Sequence, residues 1–291
     1  MKILNFGSLN IDHVYSVDHI VRPGETLSSS RYQRFCGGKG LNQSIALARA
    51  GAQVLHAGKV GAEGLFLKER LARDGVNAEY VDVVDDPGGH AIIQVDPRGE
   101  NSIVLFGGAN KAITRADAAR PLEAMSPGDF LLLQNEISAM ADIMALASQK
   151  GLRIAFNPAP FGPEVPEYPL DAVDVFFVNE TEGQGLTGEQ DPQAMLRAMR
   201  ARFPKASLVL TLGAEGALFA NPRERHQVDA VPVEAVDTTA AGDTFIGFFL
   251  AEFAKGGAIP LCLGRACRAA ALCVARPGAA DSIPLLGELE T

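Results

Sequence analysis

Ala235-Val236-Asp237-Thr238-Thr239-Ala240-Ala241-Gly242-Asp243-Thr244-Phe245 is the stretch on which the reading of this chain turns. The apolar run Val228 to Val236 leads into it, and the apolar segment Phe245 to Ala254 follows. The pattern reads as extended chain, a tight turn of small residues, then a helix starting near Gly242. A helix start exposes unpaired N–H groups and the positive end of the dipole, so it attracts anions. Ala240, Ala241 and Gly242 carry little or no side chain, which lets a phosphate approach the backbone. Asp243 is then a carboxylate placed where an anionic substrate would sit. It makes chemical sense as a base that takes a proton from a hydroxyl while neighbouring amides hold the charge developing on a transferred group. An isolated Gly-Asp pair would read as a helix cap, with Asp243 or Thr239 in that role. Two carboxylates, Asp237 and Asp243, flanking a run of small residues favour the catalytic reading.

Working outward, 291 residues suit one large α/β domain or two small ones, and 30 Gly with 17 Pro imply many tight turns. A formal charge of −9 argues against nucleic acid or an anionic membrane as partner, though not against a small anionic ligand. No apolar stretch approaches the roughly 20 residues that cross a bilayer. The start, Met1 to Gly7, reads as a first strand rather than a signal peptide. Cys36, Cys262, Cys267 and Cys273 have neither disulfide nor metal spacing, so reduced cytoplasm is the expected location.

The remaining chain alternates. Lys2 to Ser8, Gln53 to Val60, Phe130 to Leu133, Arg153 to Phe156, Val173 to Val178 and Leu208 to Leu212 read as strands. Ser44 to Ala50, Gly64 to Asp74, Met140 to Lys150 and Pro192 to Arg202 read as helices. Repeated βα units imply a parallel sheet covered on both faces. Two stretches, 13–35 and 90–107, carry only β signals, the second with a hairpin turn at Asp96 to Asn101, and are expected to pair outside the main sheet. Ligands of such sheets bind beyond the strands' carboxyl ends. Polar or Gly-rich clusters do follow the strands, at Asn10/Asp12, Gly37 to Asn42, Gln134/Glu136, Asn179/Glu182, Gly213 to Gly216 and Gly242/Asp243. Gly37-Gly38-Lys39-Gly40 lacks the Ser or Thr that a P-loop needs after its Lys, and no G-x-G-x-x-G opens the first βα unit. The turn suits close backbone approach to a polyhydroxylated ligand, with Asn42 supplying a donor and an acceptor.

These residues resemble the ribokinase family of carbohydrate kinases, the pfkB family. The match lies in Gly7-Ser8-x-Asn10-x-Asp12, Gly37-Gly38-Lys39-Gly40-x-Asn42-Gln43, Gly108-Ala109-Asn110, Asn157-Pro158-Ala159-Pro160, Asn179-Glu180-Thr181-Glu182 and Asp237-Thr238-x-Ala240-Ala241-Gly242-Asp243-Thr244. The resemblance implies a three-layer α/β/α fold with a mainly parallel central sheet. It implies one kinase domain over 1–291, with a small β-sheet lid built from about 13–35 and 90–107 through which a homodimer forms. The implied reaction is ATP-dependent phosphorylation of a sugar's primary hydroxyl, D-ribose at O5 being favoured. Asp243 would be the base, and Gly242, Ala241 and Ala240 the anion hole. Asn10, Asp12, Gly38, Lys39, Asn42 and Glu136, with Asp243, would line the sugar pocket. Asn179, Thr211, Gly213, Glu215, Gly216 and Gly242 would meet the nucleotide, and Glu182 would act through water on Mg²⁺. A monovalent cation, K⁺, would sit by Asp237, Thr239, Cys273, Arg276, Gly278 and Ser282, mostly through backbone oxygens. Thr239, Cys273, Cys267 and Asn135 depart from the family's common choices.

Rival readings keep the chemistry but change the acceptor to fructose, 2-keto-3-deoxygluconate or a nucleoside. No Trp and only four Tyr disfavour a stacked nucleoside base. A non-catalytic sugar-binding regulator is opposed by the Gly242-Asp243 pair, and an NAD-linked oxidoreductase by the missing glycine fingerprint.

Overall fold

The computed structural model describes residues 1–289. The chain opens with β1 (Lys2–Phe6) and passes directly into β2 (Asn10–Ser16), which returns through a loop to β3 (Arg31–Gly37). Two crossover units follow: α1 (Lys39–Arg49) to β4 (Gln53–Gly61), then α2 (Leu65–Arg73) to β5 (Asn77–Val84). β6 (Gly89–Val95) and β7 (Asn101–Phe106) make a hairpin. Its turn is held by Asp96 Oδ1, which accepts from the N–H of Arg98 at 2.8 Å and of Glu100 at 3.1 Å.

Next come α3 (Arg115–Glu123), β8 (Phe130–Gln134), α4 (Met140–Gln149), β9 (Arg153–Asn157) and β10 (Val173–Asn179). α5 (Glu180–Thr187), α6 (Pro192–Arg202) and β11 (Ser207–Thr211) continue the alternation. A second hairpin, β12 (Ala217–Ala220) with β13 (Arg225–Val228), precedes α7 (Ala241–Ala254) and α8 (Ile259–Val274).

Nine strands form the main sheet in the order β13-β12-β11-β10-β9-β8-β1-β4-β5. Every pair from β11 to β5 is parallel, and the hairpin adds two antiparallel strands at one edge. Ile3, Phe130, Phe177 and Phe219 face the layer of α1, α2, α7 and α8. Leu4, Leu131, Phe176 and Leu218 face α3 to α6. Burial on both faces explains why β8 (FLLLQ) is an unbroken apolar run rather than an alternating one.

β2, β3, β6 and β7 form a separate four-stranded sheet in the order β3-β2-β6-β7. The two β-only stretches therefore pair as expected, through parallel β2 and β6, with Asp12 opposite Ala91. The elements begin earlier than the sequence indicated, at Asn10 and Gly89. α1 likewise starts at Lys39 rather than Ser44. Gly38 takes φ 95°, and a side chain at Gly40 would strike the backbone of Gly7 and Ser8. The glycine-rich turn is thus the helix start itself. Val228 to Val236, expected as extended chain, leaves the sheet at Val228 and is irregular beyond it.

Candidate active site

The start of α7 carries the geometry that the sequence pointed to. Its N-cap residue Ala240 has φ 62°, the left-handed region that disfavours a Cβ, and no side chain caps the helix. Ala241 N–H turns back to Thr238 O at 3.3 Å. The N–H groups of Ala240, Gly242 and Asp243 have no acceptor among the described residues. A Cβ at Gly242 would meet no protein atom within 4 Å, so the space beside these amides is open. Asp243 is 9% exposed and forms no ion pair among the described residues. Its carboxylate instead accepts from Asn42 Nδ2 at 3.0 Å and from Gln43 Nε2 at 2.9 Å. A carboxylate held by neutral donors, beside free amides, keeps a lone pair for an incoming hydroxyl.

α1 begins opposite α7, and its first amides are capped from other elements. Glu136 Oε2 accepts from Lys39 N–H at 3.0 Å and from the Ser8 hydroxyl, and Gly40 N–H donates to Ser8 Oγ at 3.2 Å. Glu136 therefore holds a helix end as well as facing the expected sugar pocket. Lys39 Nζ has no ion-pair partner among the described residues. Burial draws its pKa down, but Asp243, Glu136 and Glu182 outweigh that and hold it above the ordinary value. Asp12 is pushed up to about 7, first by burial and then by the Glu136 charge. Asn10 is oriented by Asn110 Nδ2, which donates to its Oδ1 at 2.7 Å. Asn42 Oδ1 is buried without a partner among the described residues, an acceptor free for a ligand hydroxyl.

Two cavities meet at the α7 start. One, about 530 Å³, is mostly apolar and is walled by Val231, Pro232, Val233, Phe245 and Val274, with Thr211, Gly213 and Gly216 at its side. The other, about 220 Å³, is polar and holds Lys39, Asn157, Asn179, Glu182 and Asp243. Thr211, Thr238, Ala241 and Gly242 line both. A third cavity of about 320 Å³ opens beyond Asn10 and Glu136, lined also by Leu105, Lys111, Phe161 and Glu164.

A model of the pfkB family carbohydrate kinases matches residues 1–286. The chain belongs to the pfkB family of carbohydrate kinases. The ribokinase of Haemophilus influenzae is 34% identical over 287 residues, covering 96% of this chain and 94% of that enzyme. The deoxyribokinase of Salmonella typhi is 33% identical over 294 residues, covering 98% and 96%. The structure of Arabidopsis thaliana ribokinase complexed with ribose and ATP superposes with a TM-score of 0.88 at 28% identity, covering 99% of this chain and 97% of that one.

Within this family frame, most of the expected positions gather around the α7 start. Asn10 and Glu136 lie on the third cavity, while Lys39 and Asp243 lie on the polar one. Gly38, Asp12 and Asn42 line none of these three cavities, although a Cβ at Gly37 would strike the Asp12 carboxylate. Glu215 does not line the 530 Å³ cavity, unlike its neighbours Ala214 and Gly216. Glu182 is bound into a capping box: its Oε2 accepts from Asn179 N–H at 2.6 Å and its N–H donates to Asn179 Oδ1 at 3.0 Å. Burial raises its pKa against these bonds.

The six expected cation positions also converge. Asp237 accepts from the N–H of Thr239 at 2.8 Å and of Gly278 at 3.0 Å. Cys273 Sγ lies 3.0 Å from Ser282 Oγ and 3.7 Å from Thr239 O. The Arg276 side chain turns away to Glu288 at 2.6 Å, while its backbone N–H donates to Cys273 O at 3.1 Å. Sequence reasoning missed Thr238, Asn157 and the Val231 to Val233 wall as lining residues, and Gln43 as a partner of Asp243. Thr238, Asn157 and Gln43 each stand in a motif that carries the family resemblance; the Val231 to Val233 wall has no such signal.

Proposed function

We propose that this chain is an ATP-dependent sugar kinase that phosphorylates D-ribose at O5. The observation that carries it is the junction at Gly242 and Asp243: free amides and a neutral-bonded carboxylate stand where an apolar cavity meets a polar one. The apolar cavity suits the adenosine of ATP, which sends its phosphates toward the α7 start. Asp243 takes the proton of the O5 hydroxyl as that oxygen bonds to the γ-phosphorus and the bond to ADP breaks. The Gly242 and Asp243 amides hold the equatorial oxygens, and Lys39 adds a positive charge there. Asn10, Asp12, Asn42 and Glu136 orient the sugar, because amides and carboxylates pair with vicinal hydroxyls. The four-stranded sheet acts as the lid that excludes water.

No cluster of three or more potential metal-ligating side chains occurs among the described residues. The Glu182 and Asp243 carboxylates on the polar cavity fit Mg²⁺ held chiefly by phosphates and water, with Glu182 in the outer sphere. When bound, Mg²⁺ would supply charge neutralisation for the phosphates. The Asp237 carboxylate and the carbonyls around Thr239, Cys273 and Gly278 give an oxygen-rich loop that fits K⁺. Ile103, Val104, Leu105 and Phe106 are all exposed on β7, an apolar strip that a second copy would cover, and this supports a dimer through the lid. No helix among the described residues is long and apolar enough to cross a membrane, and four free thiols suit a cytoplasmic enzyme.

The 320 Å³ cavity beyond Asn10, with Phe161 in its wall, favours a second reading in which a larger acceptor such as a nucleoside enters. A coupled ADP-release assay with ribose, deoxyribose, fructose, 2-keto-3-deoxygluconate and nucleosides, with and without K⁺, separates these. Ribose giving the highest kcat/KM is the expected result, and no turnover on any of them sinks the kinase reading. Asp243→Asn is expected to lower kcat by roughly two to four orders of magnitude with little change in sugar or ATP binding.

A further inference from the structure

Behind the Asp243 carboxylate runs a buried file of amide side chains that the transfer step itself does not touch. Asn5 stands on β1, Gln134 at the end of β8 and Gln43 on α1, and all three are fully buried. Gln134 Nε2 donates to Asn5 Oδ1 at 2.9 Å and to Gln43 Oε1 at 2.7 Å. With its oxygen taken, Gln43 must present Nε2 to Asp243 Oδ1, at 2.9 Å. Asn5 is fixed in turn, because its Nδ2 donates to Gly40 O and to Ser44 Oγ, each at 2.8 Å. Ser44 Oγ lies 2.7 Å from Nδ1 of the fully buried His56. Burial pulls that imidazole down to about 4, so the file ends on a neutral ring near neutral pH.

The direction of these bonds matters. An amide can sit either way round, and a Gln43 turned over would set its oxygen against the Asp243 carboxylate. Gln134 forbids the turn from behind, and Asn5 forbids the equivalent turn of Gln134. The bond from Gln134 to Gln43 polarises the bond from Gln43 to Asp243 toward the carboxylate. The branch from Gln134 through Asn5 runs the other way and fixes the orientation. Burying three amides under a sheet otherwise packed with Leu, Ile and Phe costs desolvation that apolar residues would avoid.

We propose that Gln43 and Gln134 are positioning residues, which hold the Asp243 carboxylate in the rotation that keeps one oxygen lone pair facing the acceptor hydroxyl. This rests on Asp243 being the general base. Gln134 lines none of the three cavities, so it acts on turnover through the side chains it bonds, and of these Gln43 reaches Asp243.

The test is steady-state kinetics of Gln134→Met in the full chain, in two backgrounds. Beside wild-type Asp243, kcat falls about ten- to thirtyfold, because Gln43, freed to turn over, gives up its charge-assisted hydrogen bond to Asp243, while KM for ribose and for ATP stays within about twofold. Beside Asp243→Asn, the same substitution leaves the residual rate unchanged within about twofold, because there is no carboxylate left to hold. Equal loss in both backgrounds makes Gln134 merely structural and overturns the proposal, as does an unchanged kcat in the folded single variant. Gln43→Met, measured the same way, carries the test if Gln134→Met does not fold. Near-normal turnover of Asp243→Asn alone removes the base assignment itself, a result distinct from either failure.

Discussion

Replacing Asp12 by Asn keeps the shape of the side chain and removes a charge that the folded chain tolerates poorly. Burial and the neighbouring Glu136 push the Asp12 carboxyl from 3.8 up to about 7. The folded state therefore binds this proton more tightly than the unfolded chain does. Its stabilising contribution is complete below about pH 4 and is lost as pH rises toward 7. At about 1.4 kcal/mol per pH unit the loss over that interval is a little over about 4 kcal/mol, and partial exposure of the side chain reduces it to about 2 kcal/mol. Asp12→Asn escapes the loss. By thermal melts of the ligand-free protein, the variant should melt about 4 °C above wild type at pH 8.5, at roughly 2 °C per kcal/mol for a chain of this size. The gap should be about half as large at pH 5.5, where only part of the loss has accrued. The same variant should bind ribose at least tenfold more weakly, because a sugar hydroxyl loses its charged acceptor. A lower melting point than wild type, or a gap independent of pH, refutes the reasoning.

Gly242→Ala adds a methyl that meets no protein atom within 4 Å, so melting should be unchanged while kcat/KM for ATP falls at least tenfold; unaltered kinetics would mean that no phosphate lies against this backbone. Asp237→Ala strips the acceptor from two backbone N–H groups, and a K⁺ titration of activity should lose its response while a slower basal rate persists. An undiminished K⁺ response would place the ion elsewhere. Val104, 67% exposed on β7, tests the dimer: Val104→Glu should sediment as a folded monomer, and wild type sedimenting as a monomer ends that reading.

The central sheet was legible because its strands are buried on both faces and read as apolar runs between Gly-rich turns. Phe130 to Leu133 and Val173 to Val178 are examples. What escaped is less apolar. β5 (NAEYVDVV) is an edge strand with polar residues on its open side, and α3 contains Pro121 among charged residues. Its start was nevertheless written in the capping box Thr114 to Asp117. Hairpin β12–β13 is too short for its alternation to stand out. At the site, the stretches beside Gly-rich turns were readable, since few structures need small residues and carboxylates together. Asn5 was not read as a partner of that site, and Gln134 was read only as part of the polar cluster after β8, not as a neighbour of Gln43. Their neighbours come from strands far apart in sequence, and only the register of β1 with β8 and the packing of α1 bring them together.

β2 belongs to the small sheet, yet Asn10 and Asp12 are its first and third residues, paired across to Gly37 and Phe35 of β3. The ligands expected to grip the acceptor are thus shared between two bodies: one set rides on the small sheet, the other on α1 and α7. Any swing of that sheet carries its half of the grip along. On the proposed lid reading, covering the acceptor and completing its grasp would be a single movement, and an alcohol too short to bridge the halves, water included, would not draw them together.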